Sequence, residues 1–219
     1  LVSRLADDPE VEAVQVAGPG FVNMRLPKHL WLEQIKSILS EGEAYGESLA
    51  LAGQKINVEY VSANPTGPLH AAHARGAVVG DALSMLLAKA GADVTREYYI
   101  NDAGNQVNIL GRSTYLRYQE ALGKTIDGIP EGMYPGEYLK EVGAAIAERD
   151  GEKWLTADED DWLPAMRDFA IEFLMAEIKQ DLQALGVDQS VFSSERKLVE
   201  DGAVEQAFQE LTAKGHIYE

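Results

Sequence analysis

Hydrophobic and polar positions divide the chain into short alternating runs and longer stretches with helical spacing. Ile56-Val58-Tyr60 and Val94-Arg96-Tyr98-Ile100 alternate with their neighbours and predict two strands. Between them a segment rich in Ala, Val, Leu and Met, from about His73 to Ala90, predicts a helix that stops at Gly91. Strand, helix and strand make one βαβ unit, so the two strands are expected as parallel neighbours with a right-handed crossover. Upstream, VEAVQVA and FVNMRL alternate around Gly18-Pro19-Gly20 and predict a hairpin, which is not stable alone. His29 to Leu39 reads as a helix with Leu30, Ile35, Ile38 and Leu39 on roughly one side. Ser40 to Gly53 is a polar, glycine-bearing linker, and a domain boundary is expected within it.

Downstream, Gln106–Leu122, Glu137–Ala147 and Trp162–Leu185 predict helices, with a Gly- and Pro-rich loop from Gly123 to Gly136. Leu163, Met166, Phe169, Ala170, Phe173, Leu174 and Ile178 give the third of these its apolar stripe. Asp158-Glu159-Asp160-Asp161 precedes it. Acids favour a helix N-terminus, so Asp161 as a cap outweighs a metal site there. Asp188–Phe192 predicts a strand, Glu200–Lys214 a helix stopped by Gly215, and His216–Glu219 the start of a further strand. The class is α/β.

Composition narrows the picture. Of 219 residues 46% are hydrophobic, enough for a real core in one large or two small domains. There is no cysteine, so neither disulfides nor thiolate chemistry enter. No run of about 18 apolar residues and no signal-peptide pattern is found, and the expectation is a cytoplasmic protein without a membrane partner. With 19 Lys and Arg against 36 Asp and Glu, the formal net charge is −17. Such a chain does not attract nucleic acid through its overall field.

The loop leaving the first strand carries the chemistry. Pro65 and Pro68 stiffen it, Thr66-Gly67 turns it, and it delivers His70 and His73 to the start of the helix. Ligands bind open α/β sheets outside the carboxyl ends of the strands, where this loop lies. Free N–H groups and the helix dipole attract anions there, and two imidazoles add donors for phosphate oxygens. The plainer alternatives are a surface pair or a capped helix start. Zinc fits poorly, since zinc helices favour two His four apart with further ligands, so no protein metal site is expected. Neither GxxxxGK[ST] nor GxGxxG after a strand is present. Glu59 follows Val58 on a strand apolar enough to be buried. A buried carboxylate needs a cation, either a planar guanidinium ligand or an internal partner such as Arg96. Asn101 to Gln106 follows the second strand. It reads equally as a ligand-edge segment and as an Asx-type turn capping the next helix.

NVEYVSANPTGPLHAAHARGAVVGDAL followed by TREYYINDAGNQV resembles the bacterial arginyl-tRNA synthetases, of the class I aminoacyl-tRNA synthetases. The resemblance is strongest over about Ile56 to Val107 and weaker out to Glu219. Ala63-Asn64-Pro65-Thr66-Gly67-Pro68-Leu69-His70-Ala71-Ala72-His73 matches the family's signature segment, with His70-Ala71-Ala72-His73 at its HIGH motif. It departs in having Ala72 where the family usually has Gly and a nucleotide base packs on the backbone. The resemblance implies a class I nucleotide-binding, Rossmann-like parallel sheet, split by a helical insertion at about residues 107–186. It further implies that His70 and His73 are catalytic, and that Pro68, Leu69, His70, Ala72 and His73 contact ATP. Glu59, Ser62, Ala63, Asn64 and His73 would line an arginine pocket. The implied reaction is ATP-dependent activation of L-arginine and its transfer to tRNA(Arg), with Mg2+ accompanying the ATP. Residues 1–26 would be the end of a small α+β domain that contacts tRNA, 27–53 a helix and linker, and 54–219 the first part of the catalytic domain.

The α/β alternation breaks off at Glu219, and neither a KMSK-like lysine loop nor a helical anticodon domain is found in the chain. The expectation is a piece of a longer enzyme with an incomplete sheet. Alone it is expected not to charge tRNA, since the only basic residues near the site are Arg75, Arg96 and Arg112. Two other functions are compatible with parts of the sequence: an HxGH nucleotidyltransferase acting on a small phosphate ester, and a non-catalytic acidic interaction module. The NPTGPLH lead-in and the YYINDAG segment favour the synthetase over the first. The stiff histidine loop, idle in the second, disfavours it.

Overall fold

The computed structural model describes residues 1–217. The chain forms two compact units, Leu1–Ala50 and the portion from Leu51 onward. In the first unit a short helix α1 (Val2–Ala6) precedes an antiparallel hairpin of β1 (Ala13–Ala17) and β2 (Phe21–Arg25). Helix α2 (Lys28–Glu41) follows, entered at Pro27 and left at Gly42. The hairpin lies where the alternation placed it. None of this unit's residues is fully buried, as expected of a two-stranded hairpin with a single longer helix.

The second unit holds a parallel sheet in the order β3 (Lys55–Glu59), β4 (Asp93–Ile100), β5 (Val191–Ser194). Helix α3 (Ala71–Lys89) connects β3 to β4, completing the expected βαβ unit. Between β4 and β5 come α4 (Asn105–Ala121), α5 (Tyr138–Asp150) and the long α6 (Glu159–Ala184). Their facing stripes make most of the core. Leu110, Tyr118, Leu139, Ile146, Met166, Leu174 and Ile178 are fully buried, together with Tyr98 of β4. Strand alternation sorts the sheet into two faces. Val58, Tyr98, Ile100 and Phe192 pack against the core, whereas Lys55, Asn57, Glu59, Asp93 and Thr95 on the other face are exposed. Arg96 lies on the core face and is neutralised by Asp81 of α3 at 3.0 Å.

Several boundaries differ from the sequence reading, each for a local reason. Helix α3 begins at Ala71 rather than about His73, because His70 itself caps it. Strand β5 begins three residues later than expected. Gln189 spends its side-chain amide bridging the carbonyls of Tyr60 and Glu97, both at 2.9 Å, so the ladder starts only beyond it. The expected helix 200–214 is two helices, α7 (Glu195–Glu200) and α8 (Ala203–Ala213). Ser194 caps the first through the Lys197 N–H, and Gly202 at φ 75° turns the chain between them. At α6 the N-cap is Asp158, and Asp161 lies within the first turn. His216 and Ile217 are not in a strand, and the rest of the strand expected from His216 lies outside the described residues.

Candidate functional site

β3 ends at Glu59, but the Tyr60 N–H still donates to the Glu97 carbonyl at 3.1 Å. The chain then leaves the sheet through Val61 and Ser62, with φ of 67° and 40°. A β-branched residue in the left-handed region is strained by about 1–3 kcal/mol, and such strain persists only where surrounding bonds over-determine it. Those bonds are present. The Ser62 hydroxyl accepts from the Tyr99 N–H at 3.0 Å, and the Tyr98 hydroxyl donates to the Ala63 carbonyl at 2.8 Å. Burial pushes the Tyr98 phenol up to about 12, so it remains a donor at any ordinary pH. Asn64 donates to Gln106 at 3.1 Å and accepts from Asn101 at 3.3 Å. Pro65 is fully buried, and the Tyr138 hydroxyl donates to the Thr66 carbonyl at 2.6 Å.

This braced loop ends on the histidine pair. His70, extended at φ −134°, is the N-cap of α3, and His73 is three residues in. The His70 side chain accepts from the His73 backbone N–H, and the His73 ring accepts through Nδ1 from the His70 N–H at 3.3 Å. The rings stack with centroids 3.7 Å apart and planes 24° from parallel. Burial, then the neighbouring imidazole of His70, holds the His73 pKa below its ordinary 6.5. A ring nitrogen that accepts is unprotonated, so the other nitrogen of a neutral imidazole carries the proton and donates. The pair is therefore a capped helix start, one of the plainer readings of HxxH, set at a positive helix end. Leu69, His70, Ala71 and Ala74 face Asp181, Ala184 and Leu185 of α6 and its end across an open cleft of about 350 Å³. An anion belongs over the α3 N-terminus rather than beside Asp181, whereas an apolar or planar group suits the cleft.

The remaining sequence-predicted residues lie around this edge, with one correction. Glu59 is exposed, not buried. Period-two alternation puts it on the polar face with Lys55 and Asn57, opposite Val58, and Arg96 pairs with Asp81 instead of with it. Tyr99's phenol is pushed up by burial first, then by Glu195, Asp102 and Glu59. Beside Glu59 on β4, Glu97 is held below the usual carboxylate range by hydrogen bonds from Ser193 and Asn57. Asp102 does not cap α4, whose N-cap is Gly104. It accepts instead from the Ser194 hydroxyl at 2.6 Å and the Arg196 N–H at 3.0 Å, tying the β4 exit to the β5 exit. Ala72 and Pro68 are exposed. The sequence reading missed Tyr98, Gln106 and Tyr138 as loop braces. Alternation marked Tyr98 as a core residue, but nothing local marks Tyr138, which lies 72 residues from Thr66. Among the described residues no group of three or more His, Asp or Glu could hold a metal ion, and no helix is long and apolar enough to cross a membrane.

Comparison with known proteins fits this geometry. Residues 34–126 match the family described as tRNA synthetases class I (R), catalytic domain. The chain is 53% identical over 220 residues to the arginine–tRNA ligase of Rhizobium meliloti, covering 100% of this chain and 38% of that protein. A second such relative, from Ruegeria sp., is 52% identical over 219 residues with the same coverage. The chain belongs to the arginyl branch of the class I tRNA synthetases. Its fold resembles that of a Campylobacter jejuni crystal structure assigned as an arginyl-tRNA synthetase. That likeness has a TM-score of 0.76 and 33% identity, and covers 89% of this chain and 42% of that one. The Thermus thermophilus arginyl-tRNA synthetase, at 22% identity and a TM-score of 0.50, shares the fold. The class I expectation for the sheet therefore holds. The chain spans well under half the length of these curated relatives.

Proposed function

We propose that this chain supplies the ATP-phosphate site and part of the arginine pocket of an enzyme that activates L-arginine and transfers it to tRNA(Arg). The observation that carries this reading is the stacked pair His70 and His73 on the N-terminus of α3, at the carboxyl edge of a parallel sheet. In the reaction an arginine carboxylate oxygen attacks the α-phosphorus of ATP. The bond to the bridging oxygen breaks, and pyrophosphate leaves. Negative charge builds on the phosphate oxygens, where positioned N–H donors act in the transition state. The free α3 N–H groups and the imidazole donors of His70 and His73 face that charge, with Pro68, Leu69 and Ala72 offering backbone to the nucleotide. The cleft against Ala184 and Leu185 has room for its planar part. Mg2+ would travel with the triphosphate and neutralise it.

Glu59, Ser62, Ala63 and Asn64 would meet the amino acid. Glu59 stands at the end of β3 with Asp102 and Glu195 across the same edge, an acidic setting for a guanidinium. Asn64, already polarised between Gln106 and Asn101, suits the polar end of the substrate. Transfer to tRNA follows in the complete enzyme. The test is ATP–pyrophosphate exchange in that enzyme with His73→Ala. Removal of one such donor is expected to slow exchange by about 10²–10³, or about 2.7–4 kcal/mol. Unchanged exchange would remove the phosphate role.

A further inference from the structure

We infer that Tyr138 is a positioning residue for the histidine loop, through which the helical insertion sets the rate of nucleotidyl transfer. The inference rests on the reading of His70 and His73 given above. Tyr138 opens α5, far in sequence from the loop, and its hydroxyl donates to the Thr66 carbonyl at 2.6 Å. Its ring lies against Gly67, where an added Cβ would come 3.3 Å from the phenol oxygen. The phenol is half-buried, and burial raises its pKa, so it stays a donor. Thr66 lies four residues before His70, beyond Ser62 and Ala63. Those two have their own braces, the Tyr99 N–H and the Tyr98 hydroxyl. The loop is thus held in two halves. β4 holds the half nearest the amino-acid residues, and α5 holds the half nearest the imidazoles.

Tyr138 is itself fixed from behind. Gly143 packs on the α4 backbone so closely that a Cβ there would lie 2.5 Å from the Arg117 carbonyl carbon. The same buried Arg117 donates to the Pro135 carbonyl at 3.0 Å and pairs with Glu120 at 2.7 Å. That bond holds the turn which presents Tyr138. A rigid path of backbone and buried side chain therefore runs from α4 through Arg117 and Tyr138 to Thr66. Without the phenol oxygen the Thr66 carbonyl loses its partner and the loop can drift. Misplacement by about 1 Å at reacting groups costs up to about 10²-fold in rate.

The experiment compares Tyr138→Phe and Tyr98→Phe in the complete enzyme by pyrophosphate exchange, with His73→Ala as the reference. Tyr138→Phe is expected to lower kcat by about 10- to 100-fold while leaving the KM for arginine unchanged. Tyr98→Phe is expected to raise that KM. The histidine ring signals are followed by NMR in the same proteins. In Tyr138→Phe the stacked pair should open and the His73 pKa should move back toward its ordinary value. A raised arginine KM with unaltered kcat in Tyr138→Phe would overturn the inference. So would a lowered kcat with unaltered histidine signals, since Tyr138 would then act on the rate by some route other than the placing of the histidine pair. If His73→Ala leaves exchange intact, it is the phosphate role that fails, whatever Tyr138→Phe does.

Discussion

His73 shows how one residue's surroundings decide its chemistry. Its ring is stacked on His70, accepts a hydrogen bond and is partly shielded from water, and all three oppose protonation. The folded pKa lies below the unfolded one. Stability from this group is therefore fully present above pH 6.5 and is lost as pH falls through the lower folded value. His70→Asn separates the causes. Asn is a strong N-cap and keeps an acceptor for the His73 N–H, but it removes the neighbouring imidazole. The His73 pKa, read by NMR titration, should rise yet stay below 6.5, because burial is the larger cause. A full return to 6.5 would mean that the stack, not desolvation, depresses it. Glu59 teaches the complementary point. Alternation says that Val58 and Glu59 face opposite ways, but it cannot say which face is covered. The nature of the residue was legible in the sequence; its exposure depended on which side the helices packed.

At the scale of elements, strongly periodic segments were legible and chain-specific punctuation was not. The βαβ unit, the hairpin and the long helices follow from spacing alone. The late start of β5 follows from a glutamine that bridges two carbonyls on other elements, one of them 129 residues away. The break between α7 and α8 follows from a single αL glycine. The tight crossing of α4 and α5 is likewise invisible in sequence, since Gly143 reads only as a weak point in a helix. It makes an opposite prediction to helix propensity. Gly143→Ala would gain about 1 kcal/mol of propensity. The added Cβ, 2.5 Å from the Arg117 backbone carbon, has no flexible neighbour to push aside, and overpacking costs about 1–3 kcal/mol or more. The variant should therefore be less stable in urea unfolding, and a gain in stability would show that the helices separate easily.

For the molecule as a whole, the chain divides into its two compact units between Ala50 and Leu51. The residues of the candidate site all belong to the second unit. On the far side of the join the chain is anchored at once. The Leu51 N–H donates to the Ala90 carbonyl at 2.9 Å, and the Asp93 N–H donates to Gln54 at 2.9 Å. On the near side, from Tyr45 to Ala50, the residues are exposed, and Leu49 shows 83% of its surface. A protease needs several residues of free extended backbone, which an anchored segment denies and an exposed linker offers. The competing site is the Gly- and Pro-rich loop between α4 and α5. That loop is restrained near its end by the Tyr134 N–H, which donates to the buried Ser113 hydroxyl at 3.0 Å, and by Arg117 on Pro135. Brief digestion with a protease of broad specificity, followed by mass spectrometry, should therefore cut first between residues 45 and 50. It should leave a stable product that begins near Leu51 and still shows the His73 titration of the uncut protein. First cleavage within residues 123–136 would mean that the insertion, and with it the Tyr138 brace, opens more readily than the join between the units.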